Sequence, residues 1–108
     1  MKKVYNKLVR DRIPEIIKKN GDKCKVRKLN QKEFKIEALK KVVEEANEIL
    51  GAKDSKDEMI KELADLQEII ETVMDSHRIS KREVTKEKTS RKKQRGGFTK
   101  KIFLIETL

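Results

Sequence analysis

At 108 residues the chain has room for one domain with one modest core, part of which a second subunit can complete. Charged residues make up 44% of it and only Tyr5, Phe34, Phe98 and Phe103 are aromatic, so aliphatic side chains must build that core, while a single cysteine excludes an internal disulfide framework and a CxxC metal site. The net charge is +10, no apolar run is long enough to span a bilayer, and the opening residues read as charge rather than as a signal peptide, so a cytoplasmic protein is the simplest expectation.

In chain order, Pro14 suits the first turn of a short helix that ends at Gly21. Residues 23–29 then read as an extended segment in which Cys24, Val26 and, less regularly, Leu29 alternate, with Cys24 as a small apolar filler. Three capping signals follow, each a cap residue three positions before a glutamate: Asn30 with Glu33, Ser55 with Glu58, and Ser80 with Glu83. They predict helices over 31–51, stopping at Gly51, over 56–77, and over 81–95, ending at Gly96-Gly97. Residues 101–106 contain Ile102, Phe103, Leu104 and Ile105 and look extended. They could pair with 23–29 as a short two-stranded ribbon, which is marginal unless packed on helices.

The expected fold class is therefore all-α. The helix over 31–51 offers Phe34, Ala38, Leu39, Val42, Val43, Ala46, Ile49 and Leu50 at helical spacing. The helix over 56–77 offers Met59, Ile60, Leu63, Leu66, Ile69, Ile70, Val73 and Met74. A short connection makes these two an antiparallel hairpin. The helix over 81–95 supplies little apolar surface, so a homodimer, or a dimer of dimers, is expected to complete a four-helix arrangement.

Charge is unevenly placed. Residues 1–29 carry a net +8, residues 30–75 a net −6 and residues 76–101 a net +9. A basic chain alone suggests nucleic acid. An acidic middle between basic ends suggests a carboxylate-held cation beside groups for phosphate. A solvated, salt-bridged surface is the plain alternative for most of these charges.

Within the acidic middle, Glu45 and Glu48 are three apart on one helix, and Glu62 and Asp65 three apart on the next. Residues at that spacing share a face. Both pairs border the apolar stripes, where unpaired acids are costly. Facing each other across a hairpin, four carboxylates would repel unless they held a cation, and oxygen-only ligation favours Mg²⁺ or Mn²⁺. Pairs of this kind also arise by chance and form i,i+4 bridges such as Lys41–Glu45 and Lys61–Asp65. Glu44, Glu68 and Glu71 point away from the stripe and read as surface.

The pattern Glu44-Glu45-x-x-Glu48 followed after thirteen residues by Glu62-x-x-Asp65 resembles the metal-binding signature of MazG-like all-α nucleoside triphosphate pyrophosphohydrolases. Tyr5-Asn6-Lys7-Leu8-Val9-Arg10-Asp11-Arg12-Ile13-Pro14 resembles the opening of the subgroup related to phosphoribosyl-ATP pyrophosphohydrolase. Arg95-Gly96-Gly97-Phe98 with Lys101-Ile102-Phe103-Leu104 resembles that subgroup's close. The likeness covers nearly the whole of 1–108 as a single domain, and the two ends are more specific than the carboxylates. It implies Mg²⁺-dependent cleavage between the α and β phosphates, giving a monophosphate and pyrophosphate, and a house-cleaning role on non-standard nucleotides. It also implies that Glu45, Glu48, Glu62 and Asp65 are the metal and catalytic residues, one of them serving as general base.

On that reading Lys7, Arg10 and Arg12 contact phosphate, or else pair structurally with Asp11 and Glu15. Arg95 and the Gly96-Gly97 turn offer a guanidinium and backbone N–H groups to phosphate, or else form only a helix cap. Tyr5 and Phe98 read as packing residues before base-stacking ones. Residues 81–95 are more basic and less apolar than the likeness implies, which keeps a polyanionic partner in view. The competing readings are a basic helical nucleic-acid-binding module without catalysis, and a helical interaction protein with no chemistry. The first of these leaves the converging acids unexplained.

Overall fold

The computed structural model describes residues 2–108. It contains four helices, α1 (Ile13–Lys19), α2 (Gln31–Gly51), α3 (Lys56–Ser76) and α4 (Lys81–Arg95). No strand is present among the described residues, so neither 23–29 nor 101–106 is a strand. Each segment is short and almost wholly exposed, and without a surface to lie on an isolated pair of strands gains too little to persist.

The caps explain where the helices begin. Asn30 accepts from the Glu33 N–H at 2.8 Å, and the Glu33 carboxylate accepts from the Asn30 N–H at 3.4 Å. Ser80 and Glu83 repeat this reciprocal arrangement, and Ser55 accepts from the Glu58 N–H at 3.3 Å. Pro14 lies in the first turn of α1, where its missing N–H costs no helical bond. α2 and α4 end where the spacing predicts, and only the ends of α1 and α3 differ slightly. Gly51 is the last residue of α2 and Ala52, 6% exposed, is its cap. α3 stops at Ser76 with His77 as cap, and α1 stops at Lys19.

The chain divides into two compact units, one ending at His77 and the other formed by Arg78–Leu108. Within the second unit, α4 has no apolar stripe and no buried residue. In the first unit α2 and α3 pack on each other, joined by Ala52–Ser55. Each is 21 residues long, about 31 Å at 1.5 Å per residue.

The hairpin core is small. Among the described residues only Ala38, Ala52 and Ile69 are buried. Phe34, Val42, Ile49, Met59, Leu66, Val73 and Met74 are partly covered. Leu39, Val43, Ala46, Leu50, Ile60, Leu63 and Ile70, expected to be buried, are exposed. The physical reason is that two helices share only one seam, and the rest of a broad apolar stripe has nothing to face. Cys24, Tyr5 and Phe98 are likewise exposed rather than packed.

Candidate metal centre

α2 and α3 carry the acidic site. Across the hairpin, one carboxylate oxygen each from Glu45, Glu62 and Asp65 lie within 4.8 Å of one another, and all three residues are partly covered. Glu62 and Asp65 are three apart on α3 and so share a face; Glu45 meets them from α2. Glu48 lies outside this triangle and is exposed. Its charge still reaches the site.

The electrostatics follow from this crowding. The Glu62 carboxyl is held above its ordinary value, first by partial loss of solvent and then by repulsion from Glu48, Asp65, Glu45 and Glu58. A bound cation would remove that repulsion. The donor set also suits one: ligand oxygens about 2.1 Å from an octahedral Mg²⁺ lie about 3–4 Å apart, so small side-chain rotations would bring these three oxygens into range.

The N-terminal segment lays cations against the same acids. The Lys7 Nζ donates to Glu44 Oε1. Its ammonium is stabilised by that bond first and then by the charges of Glu44, Glu45 and Glu48, against a desolvation cost. Glu44 is correspondingly held below its ordinary value by Lys7, with Lys41 adding to the effect at 3.0 Å. Arg10 Nη2 donates to Asp65 Oδ1 at 2.9 Å. Lys41 also stands 3.6 Å from Glu45. Lys7 and Arg10 therefore pair with the acids of α2 and α3, not with Asp11 or Glu15; Glu15 instead meets Lys19 at 3.7 Å. Arg12 is the N-cap residue of α1 and makes no side-chain cap bond.

Two details escaped the sequence reading. Glu44, read as outward surface, anchors Lys7. Asn6 holds φ at +44°, a left-handed conformation that asparagine tolerates better than most residues, and this turns the chain immediately before Lys7. The ammonium groups of Lys3 and Lys7 lie 4.9 and 5.8 Å from the centre of the Tyr5 ring. A cleft of about 170 Å³ between the segment and α2 is lined by Asn6, Lys7, Leu8, Glu37, Lys41 and Glu44, among others.

Arg95, Gly96 and Gly97 belong to the second unit. Gly96 has φ +83° and its N–H donates to the Lys92 carbonyl at 2.8 Å. It is thus a helix terminator at a conformation that L side chains rarely adopt, and its N–H is already engaged rather than open to phosphate. Arg95, both glycines, Phe98, Lys100 and Ile102 line a groove of about 500 Å³ within that unit.

No family model, curated protein or solved structure matches the chain. No helix among the described residues is long and apolar enough to cross a membrane.

Proposed function

We propose that the protein is a Mg²⁺-dependent nucleoside triphosphate pyrophosphohydrolase of the MazG-like kind. The observation that carries this reading is the convergence of Glu45, Glu62 and Asp65 within 4.8 Å, from two helices whose EExxE and ExxD motifs resemble that family's metal signature. The N-terminal basic motif, which resembles the same family's opening, supports it further, since Lys7 and Arg10 bond acids of α2 and α3.

Glu45, Glu62 and Asp65 would hold Mg²⁺, or Mn²⁺ in its place, with Glu48 close enough to contribute charge. When bound, the metal polarises a phosphoryl group and lowers the pKa of water. Lys7 and Arg10 bring positive charge to the acids of α2 and α3, and with Arg12 they would contact an incoming phosphate chain. A carboxylate at the site would take the proton from the attacking water as the bond between the α-phosphate and the pyrophosphate leaving group breaks.

The exposed stripe of Leu39, Val43, Leu50, Ile60, Leu63 and Ile70 supports a homodimer, since a hairpin with so small a core gains most by covering that face. A cytoplasmic place, among nucleotides, goes with this reading, as does removal of non-standard nucleotides. Pyrophosphate release from a panel of ordinary and modified triphosphates, with Mg²⁺ and with EDTA, tests it. Metal-dependent release is expected; none from any nucleotide by folded protein would reject it.

A further inference from the structure

The second unit carries charge that the carboxylate site does not use. α4 has eight Lys/Arg against two acids and no buried residue. At about 100° per residue, Glu83, Glu87, Ser90 and Gln94 fall within one sector of about 60°, while all eight cations lie in a separate arc of about 220°. Arg91 is bridged to Glu87 at 3.4 Å. Arg82, Lys86, Lys88, Lys92 and Lys93 are exposed on the basic arc. Just beyond the helix end, Phe98 is 98% exposed in a groove that it shares with Arg95 and Lys100.

We infer that α4 and Phe98 form a binding surface for a nucleic-acid strand, with phosphates along the basic arc and a base stacked on Phe98. Segregation of cations from acids distinguishes this helix from an ordinary solvated one, where the signs interleave. The helix is about 22 Å long, which exceeds what the three phosphates of a nucleotide require and matches a run of backbone phosphates. A bilayer is less well suited: within α4 only Val84 is apolar, so the helix has no face to bury among acyl chains. An exposed aromatic beside basic groups is the combination that holds single strands without reading their sequence. The surface does not depend on the pyrophosphohydrolase reading, and the variants below leave Glu45, Glu62 and Asp65 untouched.

The test is fluorescence anisotropy of the full-length protein with a labelled oligothymidine of about 20 nucleotides, at about 50 and 200 mM salt. A duplex of equal length and vesicles rich in phosphatidylserine are run alongside. Single-strand binding is expected, weakened at least about tenfold by the added salt. Lys86→Gln/Lys92→Gln/Lys93→Gln should weaken it further with helicity unchanged by circular dichroism. Phe98→Ala should weaken the single strand about fivefold or more and the duplex little. Glu87→Gln, which removes an acid and releases Arg91, should tighten both. Absence of binding at low salt, equal binding by the triple-glutamine variant, or binding to vesicles alone would overturn the assignment.

Discussion

Arg10 and Asp65 are 55 positions apart in sequence and 2.9 Å apart in space. Their bond ties the N-terminal segment to the third residue of the acidic triangle, so a proposed phosphate contact and a proposed metal ligand share one hydrogen bond. The guanidinium brings positive charge to one corner of the triangle.

That sharing makes a prediction for Arg10→Gln. Both side chains are more than two-fifths exposed, so the stability cost should stay below about 1 kcal/mol. Releasing Asp65 should strengthen Mn²⁺ binding, measured by titration, while the KM for nucleotide rises. A destabilised protein with unchanged metal affinity would make the pair purely structural.

Glu62→Gln separates chemistry from scaffolding. In EDTA the variant should be as stable as the parent or slightly more so, because a carboxylate disfavoured first by partial loss of solvent and then by its acidic neighbours is replaced by a neutral amide. Millimolar Mg²⁺ should raise the thermal midpoint of the parent, by mass action on the folded state, and leave that of the variant unmoved. Turnover should disappear with it. Equal responses to Mg²⁺ would argue for a helical protein without a metal.

Val43 is 61% exposed on α2 and Leu63 44% exposed on α3. If a second copy covers this face, Val43→Glu should give a monomer by analytical ultracentrifugation, with a lower thermal midpoint that no longer depends on protein concentration. A parent that sediments as a monomer at every concentration would leave the face for another partner.

The start of α4 should be acid-sensitive. Glu83 accepts from the Ser80 N–H at 2.8 Å and from its hydroxyl at 3.1 Å, and these bonds, the backbone one first, hold its carboxyl below the ordinary value. A folded-state pKa lower than the unfolded one contributes stability above the unfolded value and loses it as pH falls through the folded one. Far-ultraviolet circular dichroism should therefore show α4 fraying over that window. Glu83→Gln should remove this contribution, and Ser80→Ala should cost about 1 kcal/mol at neutral pH.

Local signals carried most of the fold. Asn30, Ser55 and Ser80 announced three helix starts because a cap is a contact across three residues. Glu45, Glu62 and Asp65 could be paired from spacing because helical geometry is regular and the connection between α2 and α3 is short. Lys7–Glu44 and Arg10–Asp65 could not, since separations of 37 and 55 positions leave no periodic trace. Burial was overestimated at Leu39, Val43 and Leu63 for a different reason. Apolar spacing reports which face wants covering, and the covering surface need not belong to the same chain.

Tyr5 is the chain's only tyrosine, and tryptophan is absent. Emission excited at wavelengths beyond the phenylalanine band therefore arises at one ring, near the ammonium groups of Lys3 and Lys7. Because Lys7 also bonds Glu44, anything that draws the lysine away from that carboxylate alters the surroundings of the fluorophore. The molecule thus carries a built-in, label-free optical readout of events at its acidic cluster, usable in stopped-flow mixing with metal or nucleotide.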